Sequence, residues 1–228
     1  MKERPYLDEV QRRWVRDWWR ALQPMPKPAA PKGEEQGDDN APEEPGKTVP
    51  LRRSLAGLGR KARAELRRCP DVQALLMEAA TYRLSDHLLK LEKEKAFPRF
   101  NDDHAAVALV AGVLAHVWED LGNKTSLPAA LGSTKESERP LLSQMRFQRL
   151  LRTRNVDDFY RQLVRAVKLA DNKADIAVLA NDILAWHCEQ HQALPDPNHR
   201  LHSRWARDYY LQPQERAAHE TANSENQE

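Results

Sequence analysis

Apolar residues recur along most of this 228-residue chain at intervals of three and four positions, which is the spacing of one face of an α-helix. Alternating patterns typical of strands are nearly absent, and glycine occurs only eight times. The first segment shows the helical spacing clearly, because five apolar residues share one side of a helix predicted over residues 6–22: Leu7, Val10, Trp14, Trp18 and Leu22. We therefore predict an all-α fold, a helical bundle in two small lobes.

Seven further helices follow from the same spacing and from residues that begin or end a helix. Pro70 ends one helix and Asp71 caps the next, because proline lacks an amide hydrogen and an aspartate accepts a hydrogen bond from the first turn. Asp102 or Asp103 opens a nearly all-apolar helix, and Asn155 caps a later one. The predicted bounds are approximately 51–69, 71–95, 103–122, 142–152, 156–168, 174–190 and 199–211.

The composition changes between the first two helices. Residues 23–50 combine many prolines with six acidic residues and few large apolar ones, which predicts a disordered or loosely held linker. The chain beyond residue 211 is polar, and we expect a mobile tail there. The predicted order is an N-terminal helix (1–22), an acidic proline-rich linker (23–50), an N-terminal helical lobe (51–124), a connecting loop (125–142), a C-terminal helical lobe (143–211) and a polar tail (212–228).

Composition narrows the class of protein. Hydrophobic residues make up 40% of the chain, which is enough for a core, and no stretch approaches the length of a membrane span. The N-terminal segment MKERPYLDEV lacks the apolar core of a secretory signal. Two cysteines without such a signal fit a reducing compartment, so we expect a cytoplasmic protein.

Charge is unevenly distributed, although the formal net charge is only +2. Residues 51–69 carry seven basic side chains and one acid, Glu65. Residues 145–170 are equally basic, and their only acids, Asp157 and Asp158, fall in a first helical turn, where the helix dipole accounts for them. Twelve basic residues on these two surfaces are predicted to bind nucleic acid: Arg52, Arg53, Arg60, Arg63, Arg67, Arg68, Arg146, Arg149, Arg152, Arg161, Arg165 and Lys168.

The predominance of arginine favours phosphate as the ligand. Arginine is weakly hydrated and binds phosphate oxygens in a bidentate way, whereas a surface that needs only solubility mixes both signs of charge. A single charged helix face is most often merely solvated, but two arginine-rich segments with few counter-charges favour nucleic acid. Since no aromatic residues alternate with the basic ones, we expect contacts to the phosphate backbone with little sequence preference. The six tryptophans are assigned to the core or to subunit contacts.

Two segments of the chain resemble parts of a known family. RAELRRCPDVQAL (residues 63–75) resembles a helix junction near the start of CasB proteins. SQMRFQRLLRTRNVDDFYRQLVRAVKLA (residues 143–170), followed by ADIAVLANDILAW (residues 174–186), resembles their C-terminal half. CasB is the small subunit of the type I-E Cascade, a CRISPR surveillance complex.

The resemblance implies an all-helical, non-enzymatic protein. We expect no cofactor. It would lie as a dimer within Cascade, contact other Cascade subunits, the guide RNA and single- or double-stranded target DNA, and stabilise the strands of the R-loop in antiviral defence. The family's basic positions carry over to Arg67, Arg68, Arg146, Arg149 and Arg165. The linker and the tail depart from the family pattern and have no assigned role.

Two other classes of protein stay open at this level. A helical DNA-binding transcription regulator requires a helix-turn-helix pair with a recognition helix, which does not stand out. A helical phosphohydrolase is the other class, because Asp102, Asp103 and His104 are the residue types of its metal sites; their order is reversed, and they fit a helix start equally well. His187 and His191 lie one helical turn apart, yet no third metal ligand is evident, so no metal site is expected.

Overall fold

The computed structural model describes residues 6–24, 55, 57–95, 103–133, 139–191 and 196–211. Within them lie ten α-helices, two strands of two residues and one 3₁₀ turn, so the predicted all-α fold is confirmed. The elements are α1 (Glu9–Ala21), α2 (Arg60–Arg68), α3 (Val72–Leu75), α4 (Ala79–Lys93), α5 (His104–Leu114), β1 (Glu119–Asp120), α6 (Leu127–Gly132), α7 (Gln144–Arg152), α8 (Val156–Leu169), β2 (Lys173–Ala174), α9 (Ile176–His191), the 3₁₀ turn (Pro197–His199) and α10 (Leu201–Tyr210).

Some predictions fall on other parts of the chain. Most of the predicted linker, the basic residues Arg52 and Arg53, and the predicted tail lie outside the described residues.

Helix α5 forms the centre of the bundle. Every residue from Ala106 to Leu114 is buried, as expected for a helix that is apolar on all sides. Helices α2, α3, α4, α8 and α9 all pack against it. Gly112 allows a close approach of α3 and α8, because a β-carbon there would overlap the side chains of Leu75 and Tyr160.

Helix α1 is fixed to this bundle by its tryptophans. The indole N–H groups of Trp14 and Trp18 donate hydrogen bonds to the main-chain carbonyls of Leu84 and Ala80 in α4, both at 3.0 Å. Trp19 donates in the same way to Val117, after α5. The first helix is therefore part of the core, although the predicted linker separates it in sequence from the others.

The predicted helix over residues 71–95 is interrupted in the structure. Asp71 caps it as predicted, accepting from the amide of Ala74 at 2.8 Å, but α3 ends at Leu75 and α4 begins only at Ala79. The hydroxyl of Thr81 donates to the carbonyl of Leu75 at 2.7 Å, which occupies an acceptor that a continuous helix would use for its own backbone. The chain thereby turns so that α3 can cross α5.

The predicted end of α5 near residue 122 is also wrong. The helix ends at Leu114, and the chain then runs beside the turn that follows α8. The amide of Trp118 donates to the carbonyl of Asn172 at 2.7 Å, and β1 pairs in parallel with β2, with Glu119 opposite Lys173. These hydrogen bonds replace those of a longer helix. The spacing of apolar residues does not predict them, because they join segments that are distant in sequence.

Other details follow the predictions more closely. Asp103 and Asn155 cap α5 and α8 through their side chains, and the predicted loop over residues 125–142 contains the helical segment α6. The buried side chains form one hydrophobic cluster to which helices from both predicted lobes contribute. The lobe boundaries themselves stay a prediction. Over the described residues, no helix has the length and apolar character that crossing a membrane requires.

Candidate nucleic-acid interface

Helices α7 and α8 present the basic segment that the sequence singled out. Phe147 and Leu150 of α7 and Phe159 and Leu163 of α8 are buried, which fixes the orientation of both helices. The nearby arginines lie only one or two positions from these residues, outside the buried stripe, and consequently face water. The local fold thus follows from the apolar spacing, as predicted.

A groove runs between these two helices, and we call it the basic groove. Its volume is about 700 Å³. It is lined by five basic side chains, one carboxylate and several apolar or amide groups: Arg146, Arg149, Arg161, Arg165, Lys168, Asp158, Leu142, Leu150, Gln162, Ala166 and Leu169. The structure therefore brings together five of the twelve predicted residues in one concave surface.

The single carboxylate of the basic groove holds one of its arginines. Arg161 donates to Asp158 at 2.8 Å, and this hydrogen bond raises the pKa of the guanidinium. Both groups are exposed, so the pair contributes little to stability. Since a guanidinium has five N–H donors, Arg161 retains donors for a second anion.

Helix α2 carries the other predicted surface. Arg60, Arg67 and Arg68 are exposed, and their side chains are in a position to meet a ligand. Arg63 differs, because its guanidinium donates to the carbonyls of Ala115 at 2.9 Å and of Val117 at 2.8 Å. A third hydrogen bond, of 2.6 Å, joins it to the side chain of Gln23, in the segment after α1.

Arg63 therefore has a structural role in capping the end of α5, where carbonyl groups lack helical partners. Its burial and the neighbouring charge of Arg67 lower its pKa, although a guanidinium stays protonated at neutral pH. Sequence reasoning missed this role, since α2 and the end of α5 are about fifty residues apart along the chain.

His116, just after α5, is influenced by basic residues of both predicted surfaces. This side chain is buried, and its burial, with the charges of Lys168, Arg67 and Arg63, lowers its pKa to about 4. The imidazole is therefore neutral at pH 7. Lys168 also lines the basic groove, so His116 is influenced by positive charge from both α2 and the basic groove.

Arg152 lies apart from the basic groove. It lines a second cavity, of about 570 Å³, at the end of α7. Arg154, Arg200 and His202 line the same cavity, together with Glu189, whose carboxylate accepts from the amide of Leu201. Burial lowers the pKa of His202. Of these residues the sequence predicted only Arg152 to bind nucleic acid; Glu189, Arg200 and His202 come from segments that meet it only in the folded chain.

The described residues contain no group of three or more side chains suited to hold a metal ion. Asp103 has structural partners instead: one oxygen caps α5 at Ala106, and the other lies 3.1 Å from Nδ1 of His187. Asp102 and the side chain of His191 lie outside the described residues.

Of three comparisons with known proteins, one finds a match, and it covers most of the chain. No curated protein and no solved structure matches it. The family model described as CRISPR-associated protein Cse2 matches residues 62–210, which include α3 to α10, most of α2 and the whole basic groove. Helix α1 lies before the matched region. The chain therefore belongs to the CRISPR-associated protein Cse2 family, which is the CasB family that its helices resemble.

Proposed function

We propose that this protein is a non-enzymatic structural subunit of the type I-E Cascade that binds the phosphate backbone of guide RNA and target DNA. Membership of the Cse2 family supports its place in the complex. The observation that carries the nucleic-acid proposal is the basic groove, where five cationic side chains surround one carboxylate. Phosphate is the ligand that such a surface binds best.

The expected effect on the R-loop is electrostatic. Exchange of a DNA duplex for an RNA–DNA duplex is nearly balanced in free energy, so a few phosphate contacts suffice to favour the open state. Each phosphate that a cation neutralises releases condensed counterions, which makes binding fall with salt. Arginines on helix surfaces contact phosphates rather than base edges, so little sequence preference follows.

The partners follow from the same proposal. They are the other Cascade subunits, guide RNA, single- or double-stranded target DNA, and a second copy of this chain within the complex, in the cytoplasm. Only three residues separate α7 from α8, so these two helices are the candidate helix-turn-helix of a transcription regulator. The first turn of α8, which would contact DNA in a recognition helix, carries Asp157 and Asp158 and disfavours this alternative. The carboxylate of Asp157 also accepts a hydrogen bond of 3.0 Å from the amide of Val72.

A binding assay over a salt series tests the proposal. The full chain is titrated with fluorescent single-stranded DNA, RNA and duplex, and the logarithm of the association constant is plotted against that of the salt concentration. For single strands, the five phosphate contacts of the basic groove contribute about −3.5 to the slope. Arg146→Glu with Arg149→Glu removes two of them, and we expect the slope to become shallower by about 1.5.

The matched control changes the same charge elsewhere. Arg13 of α1 and Arg207 of α10 are exposed and do not line the basic groove. Arg13→Glu with Arg207→Glu should leave the slope close to that of the parent. Equal slopes for the parent and the Arg146/Arg149 variant, with both folded by circular dichroism, would show that the basic groove does not bind phosphate.

A further inference from the structure

Trp118 differs from the other tryptophans of the chain. Its exposed fraction is 58%, whereas each of the other five is at most 6% exposed. Of the two places predicted for the tryptophans, the core and subunit contacts, five occupy the core and Trp118 does not. An indole left in water forgoes the free energy of burial and offers an aromatic face to a ligand or a partner.

Two guanidinium groups lie near this indole. The central carbons of Arg63 and Arg67 each lie 5.8 Å from the ring centroid, within the range of cation–π contact. The donors of Arg63 are engaged by main-chain carbonyls and Gln23. Arg67, one helical turn further along α2, is exposed. An aromatic face and a phosphate-binding group thus stand side by side.

The backbone beneath Trp118 is firmly held. Its amide donates to Asn172, and the next two residues form β1. The carbonyl of Val117 accepts from both Trp19 and Arg63. A ligand that contacts the indole consequently orders little of the protein, which lowers the entropic cost of binding.

The charges around Trp118 suit a polyanion. The amide of Trp118 donates to the carbonyl of Asn172, whose own amide donates to Val167, next to Lys168 in α8. The indole therefore stands close to the end of α8 that carries Lys168, a residue of the basic groove. The neighbouring carboxylate of Glu119 is paired with Lys173 at 2.8 Å. The carboxylate of Glu119 is therefore neutralised and does not repel a nucleic-acid strand that extends from the basic groove to the indole.

We propose that Trp118 stacks on an unpaired base of a single strand whose phosphates are bound by Arg67 and Lys168. This inference rests on the proposed function and deepens it. Bases in a duplex are already stacked on each other and expose no face, whereas any unpaired base offers one to an aromatic ring, whatever its sequence. The protein thereby prefers single strands over duplex, a property that phosphate contacts alone do not confer.

Three probes separate stacking from charge. They are a single-stranded oligothymidylate, an abasic strand with the same phosphates but no bases, and a duplex, each titrated with the full chain. We expect Trp118→Ala to weaken binding of the oligothymidylate by roughly 5- to 150-fold and to leave the abasic strand and the duplex unchanged. Trp118→Phe keeps an aromatic face and should recover most of the loss.

Two control variants make the result specific. Tyr82→Ala removes another exposed aromatic side chain, on α4, and should bind all three probes as the parent does. Arg67→Ala should weaken binding of all three and make the salt slope shallower by about 1, because it removes a phosphate contact. Trp118→Ala should leave the salt slope unaltered.

The outcomes distinguish this inference from the proposed function. Suppose that Trp118→Ala binds the oligothymidylate as tightly as the parent, while Arg146→Glu with Arg149→Glu binds it weakly. The stacking proposal is then wrong, Trp118 is a protein-contact residue, and the proposed function stands. If the parent binds none of the three probes, both are wrong. Loss of binding to the abasic strand by Trp118→Ala would also overturn the inference, because that strand has no base to stack.

Discussion

We expect replacement of Arg63 by methionine to destabilise the fold and to leave nucleic-acid binding intact. The sequence assigns Arg63 to the phosphate-binding surface, but its guanidinium donates to the carbonyls of Ala115 and Val117 and to Gln23. Methionine retains much of the aliphatic stem and removes all three hydrogen bonds. The substitution therefore separates the structural role from the binding role.

The magnitude follows from these contacts. A hydrogen bond to a charged group contributes about 1.5–3 kcal/mol. Val117 retains the indole N–H of Trp19, so the carbonyl of Ala115 bears most of the loss. Arg63 is only half-buried, and water reaches part of the vacated space. We estimate a decrease of about 3 kcal/mol in the free energy of unfolding, which corresponds to roughly 6–12 °C in Tm for a chain of this size.

Urea unfolding followed by far-ultraviolet circular dichroism measures the decrease, and the salt series described above measures binding. Arg67→Met is the matched control, since Arg67 lies on the same helix with an exposed side chain, and its effect on stability should stay below about 0.5 kcal/mol. Unchanged stability of Arg63→Met, combined with a shallower salt slope, would refute the capping role and restore Arg63 to the binding surface.

Two further predictions concern titrating groups. Because His116 has a folded-state pKa of about 4 against an ordinary 6.5, the unfolded chain binds more protons between these values, and stability should fall by at most about 3 kcal/mol as pH drops through this window. In urea unfolding at neutral pH and at about pH 5, His116→Gln should show a smaller decrease than the parent. Burial and the nearby Glu78 raise the pKa of Cys69 from 9.0 to about 11, so alkylation at neutral pH, followed by mass spectrometry, should be roughly 100-fold slower than for an unperturbed cysteine. Equal rates in the folded and unfolded chain would contradict this.

Interactions between residues close together in sequence were sufficient to predict much of the fold. The apolar spacing placed most helices, and the caps at Asp71 and Asn155 lie where the sequence predicts them, because a cap depends on the residue and the two or three that follow it. The opposition of Phe159 and Leu163 to Arg161 and Arg165 follows from helical geometry alone. The all-α class and the basic character of α8 are therefore readable without a structure.

Other features depend on residues that are distant in sequence. The break between α3 and α4 occurs in a segment without proline or glycine, and it accompanies the crossing over α5 at Gly112. The end of α5 is set by pairing between β1 and β2 and by the guanidinium of Arg63. Helical propensity carries no information on these contacts, since tertiary partners supply the competing hydrogen bonds.

The sequence by itself determined that this chain is helical and that two of its helix faces are basic, because both properties repeat within a few residues. Only the tertiary structure decided which basic residues lie together: it brought five of them into the basic groove, set Arg152 apart and made Arg63 a helix cap. It also left Trp118 exposed beside Arg67. The physical reason is that a charge acts on whatever lies within a few ångströms, and that neighbourhood is set by packing rather than by position along the chain.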